Sequence, residues 1–93
     1  MTTTAISAVV PRRPCLLAGR VTAVASYVRP WVRLDVDLCD GTGTITLRFL
    51  GRTQIPGIIV TSRLGVEGTP WREGDSFVML NPTYMFLDEN GYC

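Results

Sequence analysis

The sequence predicts an all-β chain folded as one small barrel of five strands. Three observations carry that reading. Apolar and polar residues alternate over two adjoining stretches, the period of a half-buried strand. A Gly-rich turn joins those stretches, and Pro and Gly interrupt the runs that a long helix would need. With 93 residues, one hydrophobic core is feasible and a second is not.

The elements follow in chain order. Residues 1–14 read as a flexible N-terminal segment, since Pro11 and Pro14 discourage helix around Arg12 and Arg13. Cys15 to Ala25 is rich in small, apolar and β-branched residues and reads as a first strand, with Gly19 suited to a bulge or sharp bend. Tyr27 to Pro30 is a connection, because Pro30 removes a ladder donor and restricts Arg29. Trp31 to Asp40 is the clearest strand: Val32, Leu34, Val36 and Leu38 alternate with Arg33, Asp35 and Asp37. Thr44 to Phe49 repeats the pattern with Ile45, Leu47 and Phe49. Paired residues must share a face, so Leu38 belongs opposite Ile45, Val36 opposite Leu47, Leu34 opposite Phe49 and Asp35 opposite Arg48. That register puts Gly41 at a positive-φ turn position, in a Gly41-Thr42 loop or a wider one closed by Cys39 and Thr44. Pro56-Gly57 limits residues 51–62 to a helical turn or loop. Arg63 to Gly68 reads as a fourth strand and Thr69 to Asp75 as a loop. Phe77 to Leu87 reads as a fifth strand, disturbed at Asn81-Pro82. Residues 15–87 then form the domain and 88–93 a short acidic tail. This count and spacing match an OB-fold barrel with a short helical turn or loop between strands three and four; an SH3-like barrel satisfies the same pattern.

Composition narrows the function classes. Hydrophobic residues make up 46% of the chain, which excludes a disordered tail protein, and charged residues only 18%, so much of the surface is neutral or covered. There is no His, which removes His-based triads, metal sites and pH switches. There is no Lys, so all nine bases are Arg, the side chain that forks onto phosphate and stacks on rings. The net charge of +1 is unevenly spread: residues 1–72 hold nine Arg against four acidic residues, while residues 73–93 hold four acidic residues and no base. The imbalance points to an anionic partner. Cys15, Cys39 and Cys93 are odd in number and form no CxxC pair, which fits free cytosolic thiols and neither a disulfide framework nor a zinc site. The apolar run Ala5 to Val10 is too short for a signal-peptide core or membrane span, so the expectation is a soluble cytoplasmic protein.

Gly19-Arg20-Val21, Leu38-Cys39-Asp40-Gly41-Thr42-Gly43, Gly51-Arg52, Ile55-Pro56-Gly57-Ile58, Leu64-Gly65-Val66-Glu67-Gly68 and Asn81-Pro82-Thr83-Tyr84 follow one another in order. This set resembles the small bacterial OB-fold nucleic-acid-binding proteins of the tRNA/helicase type, related to the wedge domain of the RecG helicase. The resemblance runs from about Leu17 to Phe86. It implies a five-stranded barrel and binding of single-stranded or branched nucleic acid. The Pro-Gly which that pattern often places before the fourth strand is Val60-Thr61 here.

The predicted outer face of strands two and three carries Arg33, Asp35, Asp37, Thr44, Thr46 and Arg48 and is formally neutral. The binding candidates therefore concentrate in the loops that flank it. Tyr27, Arg29, Trp31 and Arg33 line the first loop and its exit; Trp71 and Arg72 lie in the fourth-to-fifth loop. Rings interleaved with guanidinium groups stack bases and hold phosphates together. Arg52 is the further phosphate candidate, and Arg48 divides its role between phosphate and a cross-strand pair with Asp35. Arg12 and Arg13 add at most weak affinity from an arm. No nucleophile has a base beside it, Asp35 and Asp37 lack a third ligand, and no phosphate loop or dinucleotide fingerprint is present. The sequence thus reads as a non-enzymatic single-strand-binding module without catalytic residues, metal or cofactor. A protein-interaction subunit, as partner or homo-oligomer, is the second reading.

Overall fold

Strict alternation makes one hairpin the centre of the molecule. In a computed structural model that describes residues 2–87, β2 (Arg33–Cys39) pairs antiparallel with β3 (Thr44–Leu50). Leu38 faces Ile45, Val36 faces Leu47, Leu34 faces Phe49 and Asp35 faces Arg48, the register expected from the alternation. The six apolar side chains of these pairs are all buried, each contributing about 1.5–3 kcal/mol relative to exposure. The turn is the wider of the two options, closed by Cys39 and Thr44, and Gly41 sits at φ 87°, a region open to glycine and costly to a branched side chain. Asp40 organises it: its carboxylate accepts from Thr42 N–H at 2.9 Å and Thr42 Oγ1 at 2.6 Å. It also accepts from Ile6 N–H at 2.8 Å. Partial burial works to raise the Asp40 pKa, but these hydrogen bonds outweigh it and hold the group below its ordinary value.

The long β1 (Cys15–Tyr27) serves two neighbours. Its second half pairs with β2 and its first half with β4 (Arg63–Gly68), with a bulge between Val21 and Ala23. Gly19 permits the crossing, since a Cβ there would lie 2.6 Å from the Cys39 carbonyl oxygen. Beyond β4 the chain departs from expectation. The stretch expected as a loop holds β5 (Pro70–Glu73), and the single last strand is two, β6 (Ser76–Leu80) and β7 (Thr83–Phe86), divided at Asn81-Pro82. Asn81 takes φ 47°, which with the missing N–H of Pro82 stops β6 and redirects the chain. The result is one seven-stranded sheet of order β5-β6-β3-β2-β1-β4-β7, with β6 parallel to β3. The ladders leave it open and do not close it into the expected five-stranded barrel. Only Thr69 separates β4 from β5, the two strands that lie far apart in that order.

The core gathers Leu17, Val21, Leu64, Val66 and Met79 around the hairpin's apolar face. Ile6, from a 3-10 turn at Ile6–Ala8, joins it, and Thr4 N–H donates to the Leu16 carbonyl at 2.7 Å. The segment expected to be a mobile lead-in is thus pinned at the hairpin turn and along β1. Cys15 is a free thiol whose pKa burial raises, whereas Cys39 is disulfide-bonded, which corrects the expectation of free thiols at that position. The acidic tail at 88–93 and Cys93 lie outside the described residues. Among those described, no helix is long and apolar enough to cross a membrane.

Candidate nucleic-acid interface

Register decides which side chains share the outer face. Ala23, Ala25 and Tyr27 stand opposite Asp37, Asp35 and Arg33; across β3, Asp35 stands opposite Arg48 and Asp37 opposite Thr46. Thr46 is in turn level with Val78 on β6, and Val78 with Trp71 on β5. Small alanines on one side and long polar side chains on the other leave a groove of about 270 Å³, bounded by Tyr27, Asp35, Asp37, Thr46, Arg48 and Glu73.

The groove floor carries its own ion pairs, although Arg33 Nε is closed off from solvent without a hydrogen-bond partner. Arg48 forks onto Asp35, Nε to Oδ1 at 3.0 Å and Nη2 to Oδ2 at 3.2 Å, and its Nη1 donates to Glu73 Oε2 at 2.9 Å. The hydrogen bond to Asp35, with Glu73 adding to it, raises the Arg48 pKa further above the ordinary guanidinium value despite partial burial. Arg33 Nε lies 3.6 Å from Asp35, and its guanidinium stacks on Tyr27 at 4.4 Å. Thr46 Oγ1 donates to Asp37 at 2.8 Å. Two guanidinium groups pair with two carboxylates and Asp37 adds a third beside them, so the centre offers no excess positive charge to a phosphate chain.

The flanks differ from the centre. Gly51 N–H donates to the Val32 carbonyl at 2.9 Å, which holds the chain at Arg52 against the loop carrying Arg29 and Trp31. β2 starts at Arg33, so Trp31 belongs to that loop, where it is 59% exposed. Arg29, Trp31, Arg33 and Arg52 therefore collect at one end of the β2–β3 ladder. Trp71, 51% exposed, lies on the other side of the face on β5, with the Arg12 guanidinium 4.9 Å from its ring centre. The Arg12 N–H donates to the Pro70 carbonyl at 2.9 Å, so this arginine is docked beside the site. Arg72 projects from the reverse side of β5, over Phe77 at 5.5 Å, and does not act beside Trp71.

Sequence reasoning placed Trp31, Arg52 and Trp71 at exposed flanking positions and paired Arg48 with Asp35. It missed Glu73 as the second anchor of Arg48, because the pairing of β3 with β6 and of β6 with β5 has no local signal. It also missed Arg12 as the partner of Trp71. No family model matches the chain, and no curated protein matches it in sequence.

Proposed function

We propose that the protein binds single-stranded nucleic acid with little sequence readout, the strand lying across the outer face between the Trp31 end and Trp71. The supporting observation is the stacking of guanidinium groups on exposed rings on both flanks, Arg33 on Tyr27 and Arg12 on Trp71, with the exposed Trp31 at the ladder end that carries Arg52. Rings take bases of any identity and guanidinium groups take phosphates. We infer an OB-type five-stranded barrel closed by chain continuity rather than by a ladder. If β4, Thr69 and β5 count as one bent strand, then β1, β2, β3, β6 and that strand each pair with two neighbours in a cycle, and β7 is an added edge.

The self-paired floor limits affinity, so the dissociation constant is expected on the order of micromolar at physiological salt. Tryptophan fluorescence titrated with oligothymidylate reads the site. Trp31→Ala and Trp71→Ala should each cost about 1–3 kcal/mol, the value of one stacked base. Arg52→Gln should lower the salt slope by about 0.7, one single-strand phosphate contact. Unchanged binding in both Trp variants refutes the interface. Absence of binding at low salt favours a protein-interaction subunit, a reading supported by the open edge of β7 with its exposed Met85 and Phe86.

A further inference from the structure

A second cationic site lies away from the outer-face groove. The β1–β4 ladder sets Arg20 directly opposite Arg63, two like charges on one face of the sheet. Among the described residues neither is ion-paired, and Nε and Nη1 of Arg63 are closed off from solvent with no hydrogen-bond partner. Guanidinium donors in that condition are costly to keep unless something else satisfies them.

The surroundings form a container. The Thr61 N–H donates to the Val21 carbonyl and the Val21 N–H to the Ser62 carbonyl, both at 2.8 Å, which folds the 59–62 turn against β1. The Ser62 hydroxyl locks that turn by donating to the Gly57 carbonyl and accepting from Ile59 N–H. Leu87 N–H donates to the Arg63 carbonyl at 2.9 Å and brings in the opposite wall. Between them is a cavity of about 490 Å³ lined by Arg20, Ile59, Thr61, Arg63, Phe86 and Leu87. Among the described residues, no carboxylate lines it. Thr61 is held at φ 87°, a backbone region that a β-branched residue enters only when its surroundings impose it.

The geometry points to this cavity as a binding site for the phosphate group of a nucleotide. Two facing guanidinium groups suit a multi-oxygen anion that is shared between them, which also removes their mutual repulsion. The volume exceeds what a bare anion fills and lies in the range of small-ligand pockets. The exposed Phe86 ring and Ile59 offer an apolar wall for the flat base. The site is independent of the outer-face interface: Arg20 pairs with Cys39 at the hairpin end of β2, and Trp31 and Arg52 stand at its other end.

The test is a calorimetric and NMR titration of the full chain with inorganic pyrophosphate, adenosine monophosphate and adenosine. Pyrophosphate and the monophosphate should bind and shift the Arg63 side-chain Nε–H resonance, and adenosine alone should not. Arg20→Gln and Arg63→Gln should each weaken the monophosphate about tenfold. Arg20 is exposed, so its variant keeps the test valid if Arg63→Gln fails to fold. A monophosphate affinity unchanged in Arg20→Gln, or shifts confined to Arg29, Arg52 and the Trp rings, overturns the site. A 5′-phosphorylated oligonucleotide that outcompetes the monophosphate identifies a strand end as the source of the phosphate; equal competition identifies the free nucleotide.

Discussion

Arg33 and Arg48 share one carboxylate, Asp35, whereas Arg20 and Arg63 face each other and, among the described residues, pair with no acid. Both pairs sit on one sheet, on ladders separated by that of β1 with β2. The difference is register. On β2 and β3 the acidic residue falls opposite and beside the bases, and the ion pairs become part of the fold. On β1 and β4 two bases fall opposite one another, and the positive charge stays available. Counting arginines therefore says little about where an anion binds; the available charge is what the ladders leave unpaired.

The largest test of this contrast is Gly19→Ala. Its Cβ would meet the Cys39 carbonyl oxygen at 2.6 Å where β1 passes from one ladder to the other. Forcing that crossing apart should cost about 3 kcal/mol in denaturant unfolding, the upper part of the overpacking range. Asp35→Ala should cost about 2 kcal/mol, because it leaves Arg33 partly buried without its carboxylate and Arg48 with Glu73 alone. It should also raise oligonucleotide affinity at low salt, as Arg33 is freed and Arg48 keeps only Glu73. If stability holds and affinity does not rise, the outer-face ion pairs are not what silences those arginines.

The remaining two substitutions act on the unpaired side and should go in the opposite direction. Thr61→Gly relieves a β-branched residue at positive φ and should stabilise by about 0.5–1 kcal/mol, the strain relieved less the added backbone entropy. A lower melting temperature would mean that Thr61 is not strained. Arg20→Gln should be neutral or stabilising by about 0.5 kcal/mol, since it ends a like-charge cross-strand pair. A clear loss of stability would show that Arg20 has a structural partner after all.

The β2–β3 hairpin was fully legible because alternation is strict there and only one register keeps every apolar residue on one side. The Asp35–Arg48 pair came with it. β5 was not legible, since Pro70, Gly74 and Asp75 dominate its surroundings and four residues carry too little alternation to outweigh turn chemistry. The split of the last strand was visible only as a disturbance at Asn81-Pro82. The Arg20–Arg63 cavity was invisible for a different reason. Both residues sit in readable strands, but which strand lies beside which is a non-local fact, and like-charge apposition emerges only from that pairing. The same holds for Arg12 on Trp71, whose partners are separated by most of the chain.

The parallel ladder between β3 and β6 is three residue pairs long, from Thr46–Val78 to Arg48–Leu80. Among the described residues it is the only ladder joining the β5–β6 hairpin to the rest of the sheet. Arg48 reaches from β3 over β6 to Glu73 on β5 and so works as a brace across this seam. In mechanical terms the β5–β6 hairpin is a wing joined to the β1–β4 block by a short weld, one strut and the single-residue link at Thr69. Slow thermal opening concentrates at such a weld, and backbone amides of β6 exchange with solvent ahead of those in the β2–β3 ladder. Because Glu73 rides on the wing and Tyr27 on the block, the width of the groove that both line depends on how that wing is held.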